Sequence, residues 1–281
     1  MIPAQFDYAA PASLGEALQL LQQHGESAKL LAGGHSLVPL MKLRLAQPGM
    51  LIDLRLLGEL RGIASSGGGL RIGAMTTHAE VAGSSAVAQS APALAQAAAE
   101  IGDRQVRARG TIGGSLAHFD PAADLPAVIL ALEAEIVVRS AARGERVIAA
   151  SSFFRGILET DVAPDELMVE VRLPAAPRSA YAKFPNPASH YAITGVAAAV
   201  EGDGTVRAAR IGVTGAAPSA FRAGAAESAL AGKALSPESI AAAAAAAYDG
   251  RELLSDLHAS AEYRAHLIGV MTRRALEKLP R

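Results

Sequence analysis

The apolar positions at the start of the chain change from helical to extended spacing. Leu14, Leu18 and Leu21 recur at the spacing of an amphipathic helix. Ser13 lies three residues before Glu16, which is the S-x-x-E spacing of a capping box. AKLLAGG and MLIDL follow as short apolar runs of the kind that form strands. The pattern predicts a small β-α-β-like unit over residues 1–57.

The apolar pattern of the second unit, residues 58–175, indicates hairpins and helices. GIAS and LRIGA flank a glycine-rich turn and predict two short strands. AEVAGSSAVAQSAPALAQAAAEIG is helix-rich and is broken near Pro92. AEIVVRS and ERVIAA are spaced as a hairpin, and ELMVEVRLP alternates like a half-buried strand that ends at Pro174.

The third unit, residues 176–281, is predicted to contain a sheet and helices. After Pro174, the segment AAPRSAYAKFPNPASH has prolines and small residues that indicate a connector or an exposed loop. AITGVAAAVEGDGTVRAARIGVTGAAPSAFRA predicts two or three strands, with EGDGT as a hairpin turn. Ser236 and Pro237 have the N-cap and first-turn positions of a helix over the alanine run, and the closing segment has helical spacing.

Composition and charge exclude several classes of function. The 281 residues are 51% hydrophobic with a formal net charge of −1, so no strong field favours nucleic acid or an anionic membrane. The chain has no cysteine, which excludes disulfides and cysteine-ligated zinc or iron–sulfur sites within it. We see neither a signal peptide nor a run apolar enough to span a membrane, and we therefore expect a cytoplasmic protein.

Two glycine pairs stand where strand-like apolar runs break, and they are the candidate binding elements. The first glycine signature is AGGHS at residues 32–36, and the second is TIGGS at residues 111–115. Glycine tolerates a positive φ and lets backbone N–H groups point into one concavity, while serine and threonine add hydroxyl donors. The pairs are either simple tight turns or two sides of one diphosphate site. The Rossmann, P-loop, zincin and α/β-hydrolase motifs do not occur.

Longer segments around these pairs resemble a known family. LLAGGHSLVPLMKLRLAQP and RARGTIGGSLAHFDPAADLPAV resemble the two FAD-binding signatures of the flavoprotein (medium) subunit of molybdenum hydroxylases. That family includes the medium subunits of xanthine dehydrogenase and aerobic carbon monoxide dehydrogenase. IGAMTTHAEV, ELMVEVRLP and YAKFPNPASHYAITGVAAAV resemble further segments of the family in the same order. The resemblance therefore spans most of the chain.

The resemblance implies an α+β fold of the vanillyl-alcohol-oxidase (PCMH) type, with two FAD-binding subdomains and a C-terminal α+β domain. The two signatures would hold the diphosphate from opposite sides, and Asp124 would lie near the adenosine ribose. Lys183 would lie near the flavin, where a cation stabilises negative charge on the reduced ring. The positions implied to face the cofactor are Ala32, Gly33, Gly34, His35, Ser36, Leu37, Ile101, Thr111, Gly113, Gly114, Ser115, Asp120, Asp124, Met168, Lys183 and Tyr191.

The resemblance also implies a function without a catalytic residue on this chain. FAD would be bound non-covalently and would receive electrons from two [2Fe-2S] clusters on a small subunit. A large molybdopterin subunit would oxidise the substrate, and NAD, a quinone or another acceptor would take the electrons. A dimer of heterotrimers is expected. The substrate is not identified, and the candidates are carbon monoxide, purines, nicotine, caffeine and other N-heteroaromatics.

Several alternatives stay open at this point. The chain could be a stand-alone FAD-dependent oxidoreductase, or a scaffold whose FAD site has decayed. His35 could ligate a metal, and so could His118 with Asp120 and Asp124, although their spacing is irregular. His78 most simply lies near a helix start. Arg104, Arg107 and Arg109 could form a solvated face, orient the following turn or meet a partner chain. Lys183 could be merely solvated.

Overall fold

The computed structural model describes residues 2–280, so the first residue of the first predicted unit and the last residue of the third lie outside it. The strands are β1 (Asp7–Ala9), β2 (Ala28–Leu31), β3 (Met50–Asp53), β4 (Ile63–Ser66), β5 (Gly69–Gly73), β6 (Glu135–Ser140), β7 (Gly144–Ala149), β8 (Phe154–Gly156), β9 (Glu159–Thr160), β10 (Glu166–Leu173), β11 (Ser179–Pro185), β12 (Ala192–Glu201), β13 (Ala208–Thr214) and β14 (Phe221–Arg222).

The helices surround these strands. They are α1 (Leu14–His24), α2 (Leu37–Lys42), α3 (His78–Gly83), α4 (Ser85–Ser90), α5 (Pro92–Glu100), α6 (Arg104–Arg109), α7 (Ile112–His118), α8 (Leu125–Ala131), α9 (Ala150–Phe153), α10 (Gly224–Leu230), α11 (Pro237–Ala246) and α12 (Ala261–Glu277). Among residues 2–280 there is no helix with both the length and the apolar character needed to cross a membrane.

Within residues 2–280, the strands form three larger sheets and one small hairpin. A parallel sheet has the order β1-β3-β2, and an antiparallel sheet has the order β4-β5-β10-β6-β7. A second antiparallel sheet has the order β11-β12-β13-β14, and β8 pairs only with β9. The helical and strand shares, 38% and 27%, confirm the predicted α+β class. The predicted unit boundaries after residues 57 and 175 stay predictions.

The N-terminal elements form as their local sequence predicts, with one addition. Ser13 caps α1 by accepting from the Glu16 N–H at 3.2 Å, and Gly25 ends the helix with a φ of 52°. The Glu16 carboxylate accepts from the Ala12 N–H at 2.9 Å, one residue before the position that a capping box uses. Strand β1 was not predicted, because its three residues are too few to show alternation.

The segment predicted as a connector or exposed loop, residues 175–190, contains strand β11, so that prediction is wrong over residues 179–185. Ser179 pairs with Ala199 and Lys183 with Gly195 along β12. Residues 179–182 are buried, with α5 and α12 packed on the strand, so both of its faces are covered and no polar alternation appears. Pro185 comes last in the strand, where a missing N–H is tolerated.

Candidate functional site

A cavity of about 730 Å³ lies between the loop after β2 and the start of α7. This volume is in the range that proteins use for cofactors and small ligands. Of the positions that the sequence assigns to a cofactor site, all line this cavity except Lys183. The fold therefore brings together residues that are up to 159 positions apart, from Ala32 to Tyr191.

The first glycine signature forms the loop that leads from β2 into α2. In the part of the chain that the structure describes, no protein acceptor bonds the N–H groups of Gly33, Gly34, His35 or Ser36. The hydroxyl of Ser36 does not cap α2 either. Gly34 has a φ of 77°, a left-handed conformation that favours glycine. These residues line the cavity, and free amides with a hydroxyl suit an anion with many acceptor oxygens.

Gly33 is required because two segments of backbone meet at its Cα. A Cβ at this position would overlap the Arg109 carbonyl oxygen and lie 2.7 Å from the Gly110 Cα. Both neighbours are main-chain atoms at the C-terminal end of α6, so they cannot rotate away as a side chain would. The first signature is thus in direct backbone contact with the segment that precedes the second signature.

The second glycine signature is helical, which differs from the expected break in a strand. Thr111 caps α7 by accepting from the Gly114 N–H at 3.1 Å, and the Gly113 N–H donates to the Ala74 carbonyl at 2.9 Å. Neither glycine has a positive φ. A Cβ on Gly113 would lie 2.6 Å from the Ala74 Cβ, so this glycine allows close packing. The second signature therefore offers hydroxyl groups, while its glycine amides are already used.

Asp124 and Lys183 form a buried ion pair at the rim of the cavity. The Lys183 ammonium lies 3.0 Å from Asp124 Oδ1 and donates to the carbonyls of Glu100 and His190, both at 2.7 Å. The Tyr181 hydroxyl donates to Asp124 Oδ1 at 2.5 Å. Burial raises the pKa of Asp124 to about 6, whereas Lys183 and Tyr181 favour its carboxylate, which is still the main form at pH 7.

Lys183 does not line this cavity, and its predicted place near the flavin stays a prediction. Its side chain is buried, with its three donors used by protein acceptors. Asp124 does line the cavity, but Tyr181 and Lys183 occupy most of its lone pairs. The proposed contact between Asp124 and a ribose stays a prediction, with room for about one more donor.

The remaining predicted positions come from loops that the fold holds in place. Tyr191 lines the cavity while 42% of its surface is exposed, and burial with the charges of Asp120 and Asp124 raises its pKa. Ile101 follows α5, and the Arg107 guanidinium donates to its carbonyl at 3.0 Å. Arg107 therefore orients this loop. Met168 lies where the pairing of β10 with β6 shifts register, as at many binding sites.

His78 is a cavity residue whose role the sequence did not reveal. It begins α3 after the Thr77 cap, near the helix start that MTTHAEV predicts. It also lines the cavity, and its buried Nδ1 has no hydrogen-bond partner. Burial, with the nearby His35 and Arg107, lowers the pKa of His78 to about 4, so the imidazole is neutral at pH 7. A single histidine in such a motif does not indicate from sequence that its side chain lines a cavity.

Other lining residues come from the hairpin of β8 and β9 and the loop that follows, including Leu158, Thr160 and Val162. Nothing in their sequence indicates a site. As for metals, within residues 2–280 no three histidine, aspartate or glutamate side chains converge as an ion would require. His35, His118 and Asp120 line the cavity as separate groups.

Comparisons with known proteins match this arrangement. The family model of the FAD-binding domain in molybdopterin dehydrogenase matches residues 4–176, and that of the CO dehydrogenase flavoprotein C-terminal domain matches residues 179–279. The carbon monoxide dehydrogenase medium chain of Hydrogenophaga pseudoflava is 45% identical over 98% of this chain and 97% of its own length. Subunit alpha of the 6-hydroxypseudooxynicotine dehydrogenase complex of Paenarthrobacter nicotinovorans is 42% identical over 99% and 95%.

A solved structure agrees over nearly the whole length. It is carbon monoxide dehydrogenase from Hydrogenophaga pseudoflava, lacking the Mo-pyranopterin moiety of the molybdenum cofactor. The TM-score is 0.93 at 47% identity, covering 99% of this chain and 98% of the other. The free amides of the first signature, the cavity and these matches lead to one assignment. The chain belongs to the family of FAD-binding medium subunits of molybdenum hydroxylases, the oxidoreductases of the carbon monoxide dehydrogenase and xanthine dehydrogenase type.

Proposed function

We propose that this chain takes electrons from [2Fe-2S] clusters on a small partner chain and passes them to an external acceptor such as NAD or a quinone. The substrate would be oxidised in a large molybdopterin chain. The observation that carries the proposal is the loop over Gly33–Ser36, whose amides have no protein acceptor within residues 2–280 and whose residues line a cavity together with the second signature. A dinucleotide cofactor presents the phosphate oxygens that such a loop can bind.

When bound, FAD supplies the redox chemistry, and this chain binds and orients it. The N–H groups of Gly33–Ser36 would donate to the diphosphate, and the hydroxyls of Thr111 and Ser115 would add further donors. Ile101 and Met168 would supply apolar surface that excludes water. Lys183 holds the turn before Tyr191 through the His190 carbonyl. None of these roles needs a general base.

Composition and the relatives support the proposed division of labour among chains. Since the 281 residues include no cysteine, thiolate-ligated clusters must lie on another chain. The two relatives above are named for different substrates, carbon monoxide and 6-hydroxypseudooxynicotine, although each is over 40% identical to this chain. We therefore place substrate choice in the large chain. A cytoplasmic dimer of heterotrimers is part of the same proposal, and light scattering of the purified complex would test the stoichiometry.

The test compares the complex with and without its flavin. The chain is coexpressed with its two partner chains, and carbon monoxide, xanthine and nicotine are tried as electron donors. With the donor that works, the FAD-depleted complex should still show reduction of its iron–sulfur absorption. Transfer to the external acceptor should stop and should return when FAD is added.

Two results would contradict this function. Acceptor reduction that continues at the full rate without FAD would show that electrons bypass this chain. Turnover of a donor by the isolated, FAD-loaded chain would instead support a stand-alone oxidoreductase.

A further inference from the structure

Arg264 is a buried cation of the C-terminal domain and does not line the cofactor cavity. It lies on α12 with 4% of its side chain exposed, and its Nη1 donates to the carbonyls of Ile193 and Gly215, both at 2.6 Å. Its Nη2 donates to an Asp256 carboxylate oxygen at 2.7 Å, in the loop before the helix. One guanidinium therefore ties α12 to the start of β12 and to the residue after β13.

The two strand ends lie so close together that their contact requires a glycine. A Cβ on Gly215 would overlap the Ala192 carbonyl oxygen and lie 2.9 Å from the Ile193 carbonyl oxygen. Gly215 also has a φ of 80°, in the left-handed region that favours glycine. Because Arg264 bridges the carbonyls at this contact, it fixes the two strand ends relative to each other.

The same strand ends hold a loop of the FAD-binding domain, residues 121–123, by its backbone. The Gly215 N–H donates to the carbonyl of the first loop residue at 2.9 Å, and the Ala192 N–H donates to that of the second at 3.1 Å. The Thr214 hydroxyl donates to the carbonyl of the third at 2.7 Å. Three consecutive carbonyls of this loop thus accept hydrogen bonds from the C-terminal domain.

This loop lies between two of the predicted cofactor residues. Asp120 and Asp124 flank it and line the cavity, as does Ala123. The Asp120 side chain accepts from the Ala122 N–H at 2.8 Å, and its carbonyl accepts from the Ala123 N–H at 2.9 Å. The backbone position of the loop therefore determines where both carboxylates stand at the cavity.

We propose that Arg264 is a positioning residue of the cofactor site, which it supports from the C-terminal domain through the ends of β12 and β13. The inference rests on the proposed function and adds a residue whose side chain lies outside the cavity. Supporting groups of this kind hold a site in its binding geometry because they limit how far its residues can move. A residue that only packed the C-terminal core would instead affect FAD through overall stability.

Three variants and one control test this role. Arg264→Met removes the donors but keeps an apolar chain, and such replacements of buried cations are often tolerated. Arg264→Lys keeps the cation and can still donate to the carbonyls. Thr214→Val removes the hydroxyl that holds the loop and leaves Arg264 in place. Leu276→Ala is the matched control, because Leu276 is buried in the core of the same domain and lies about 18 Å further along α12.

Two measurements are made on each full-length chain, at one temperature at which thermal scans show every FAD-free chain to be folded. Fluorescence titration gives the affinity for FAD. Mass spectrometry follows hydrogen exchange in the FAD-free chain for a peptide over residues 119–126, which contains the loop. Exchange reports how firmly the loop is held and does not depend on FAD or on activity.

We expect Arg264→Met to weaken FAD binding about tenfold and to speed exchange in this peptide, because two charge-assisted hydrogen bonds are lost. Arg264→Lys should recover most of both losses. Thr214→Val should weaken FAD binding about threefold, since it removes one neutral hydrogen bond. Leu276→Ala should lower the melting temperature of the FAD-free chain but leave FAD affinity and loop exchange unchanged.

Other outcomes would overturn the inference. It fails, and the proposed function is untouched, if the wild-type chain binds FAD and Arg264→Met matches it in affinity and loop exchange. It also fails if Leu276→Ala loses as much affinity as Arg264→Met, because the effect then follows stability. Should Arg264→Met not fold, wild-type affinity and exchange in Thr214→Val would overturn it. A wild-type chain that binds no FAD would contradict the proposed function as well.

Discussion

At the scale of single residues, His78 shows how a buried imidazole can serve a cofactor site while it stays uncharged. Its Nδ1 has no partner, so the proton is better placed on Nε2, because an unpaired buried N–H is costly. The Cδ2–Nε2 edge lies against Gly110, where a Cβ would come within 2.8 Å of Cδ2. Gly110 thus makes room for the imidazole directly before the second signature.

This environment predicts a dependence of stability on pH. The pKa of His78 is about 4 in the folded chain and near its ordinary value in the unfolded chain, so the unfolded chain takes up the proton first as pH falls. His78 should cost stability progressively between about pH 6.5 and pH 4, on the order of 3 kcal/mol at the lower end. Above that window it should have no effect.

His78→Gln tests this, since glutamine keeps an N–H donor but does not titrate. Urea unfolding at intervals from pH 7 to pH 4 should show that the difference in free energy of unfolding shifts in favour of the variant as pH falls. Groups that titrate in both proteins cancel in the difference. A constant difference across the window would contradict a buried, neutral His78.

At the scale of elements, β11 is tied to the N-terminus of α8 by polar side chains. Lys183 and Tyr181, two residues apart on one face of the strand, both bond Asp124 at the start of the helix. Gly195 on β12 makes this possible, because a Cβ there would overlap the Tyr181 hydroxyl. The same lysine holds the His190 carbonyl, so one cation positions both a strand and the cavity loop.

Lys183→Met should therefore destabilise the chain strongly. It leaves the Asp124 carboxylate buried without its cation, which costs about 3–5 kcal/mol in comparable pairs. The pKa of Asp124 should rise above about 6, and the loss should be larger at pH 7 than at pH 5, where the carboxyl can take a proton. Chemical unfolding at both pH values measures this.

Two controls accompany Lys183→Met. Lys233→Met changes an exposed lysine and should cost little. Adding Asp124→Asn should recover part of the loss, since no buried charge then remains. A cost below about 1 kcal/mol for Lys183→Met would mean that the pair contributes little.

The elements that sequence patterns predicted are determined by local interactions, whereas those that the patterns missed are determined by tertiary contacts. Helix α1, the hairpin of β6 and β7, and α11 follow from local spacing and caps, and each forms near its predicted bounds. Strand β11 was missed because burial on both faces removes alternation. The second signature was expected to break a strand, but Thr111 caps a helix there, and its glycines are set by contact with Ala74, which no local pattern records.

At the scale of the whole molecule, the cavity forms where two segments that are distant in sequence make contact. The loop after β2 meets the end of α6 at Gly33, and α7 follows within three residues. The positions that the resemblance assigns to the cofactor share one cavity apart from Lys183, which pairs with Asp124, and their contacts with FAD stay predictions. Which donors stay free depends on tertiary hydrogen bonds, so the sequence alone could not distinguish the two signatures.

Gly33→Ala should separate these segments. Because the new Cβ meets only backbone, the loop and the α6 end must move apart, and we expect FAD affinity to fall at least about tenfold. The rise in melting temperature that excess FAD gives the wild-type chain should shrink accordingly. Fluorescence titration and thermal scans measure both.

Gly15→Ala is the matched control for Gly33→Ala. It lies in α1 with no atom within 4 Å of the added Cβ, so it should leave FAD affinity unchanged and add up to about 1 kcal/mol of stability. Equal FAD affinity in the two variants would contradict the close approach at Gly33.

The unpaired amides of Gly33–Ser36 have a practical consequence for handling the protein. A loop that keeps its donors free for phosphate oxygens does not distinguish a cofactor from inorganic phosphate or sulfate by those donors alone. Concentrated phosphate or ammonium sulfate therefore competes for the same loop during purification. Preparations made in such salts should lose flavin more readily than those made in chloride. Their flavin colour should therefore depend on the salts used during purification.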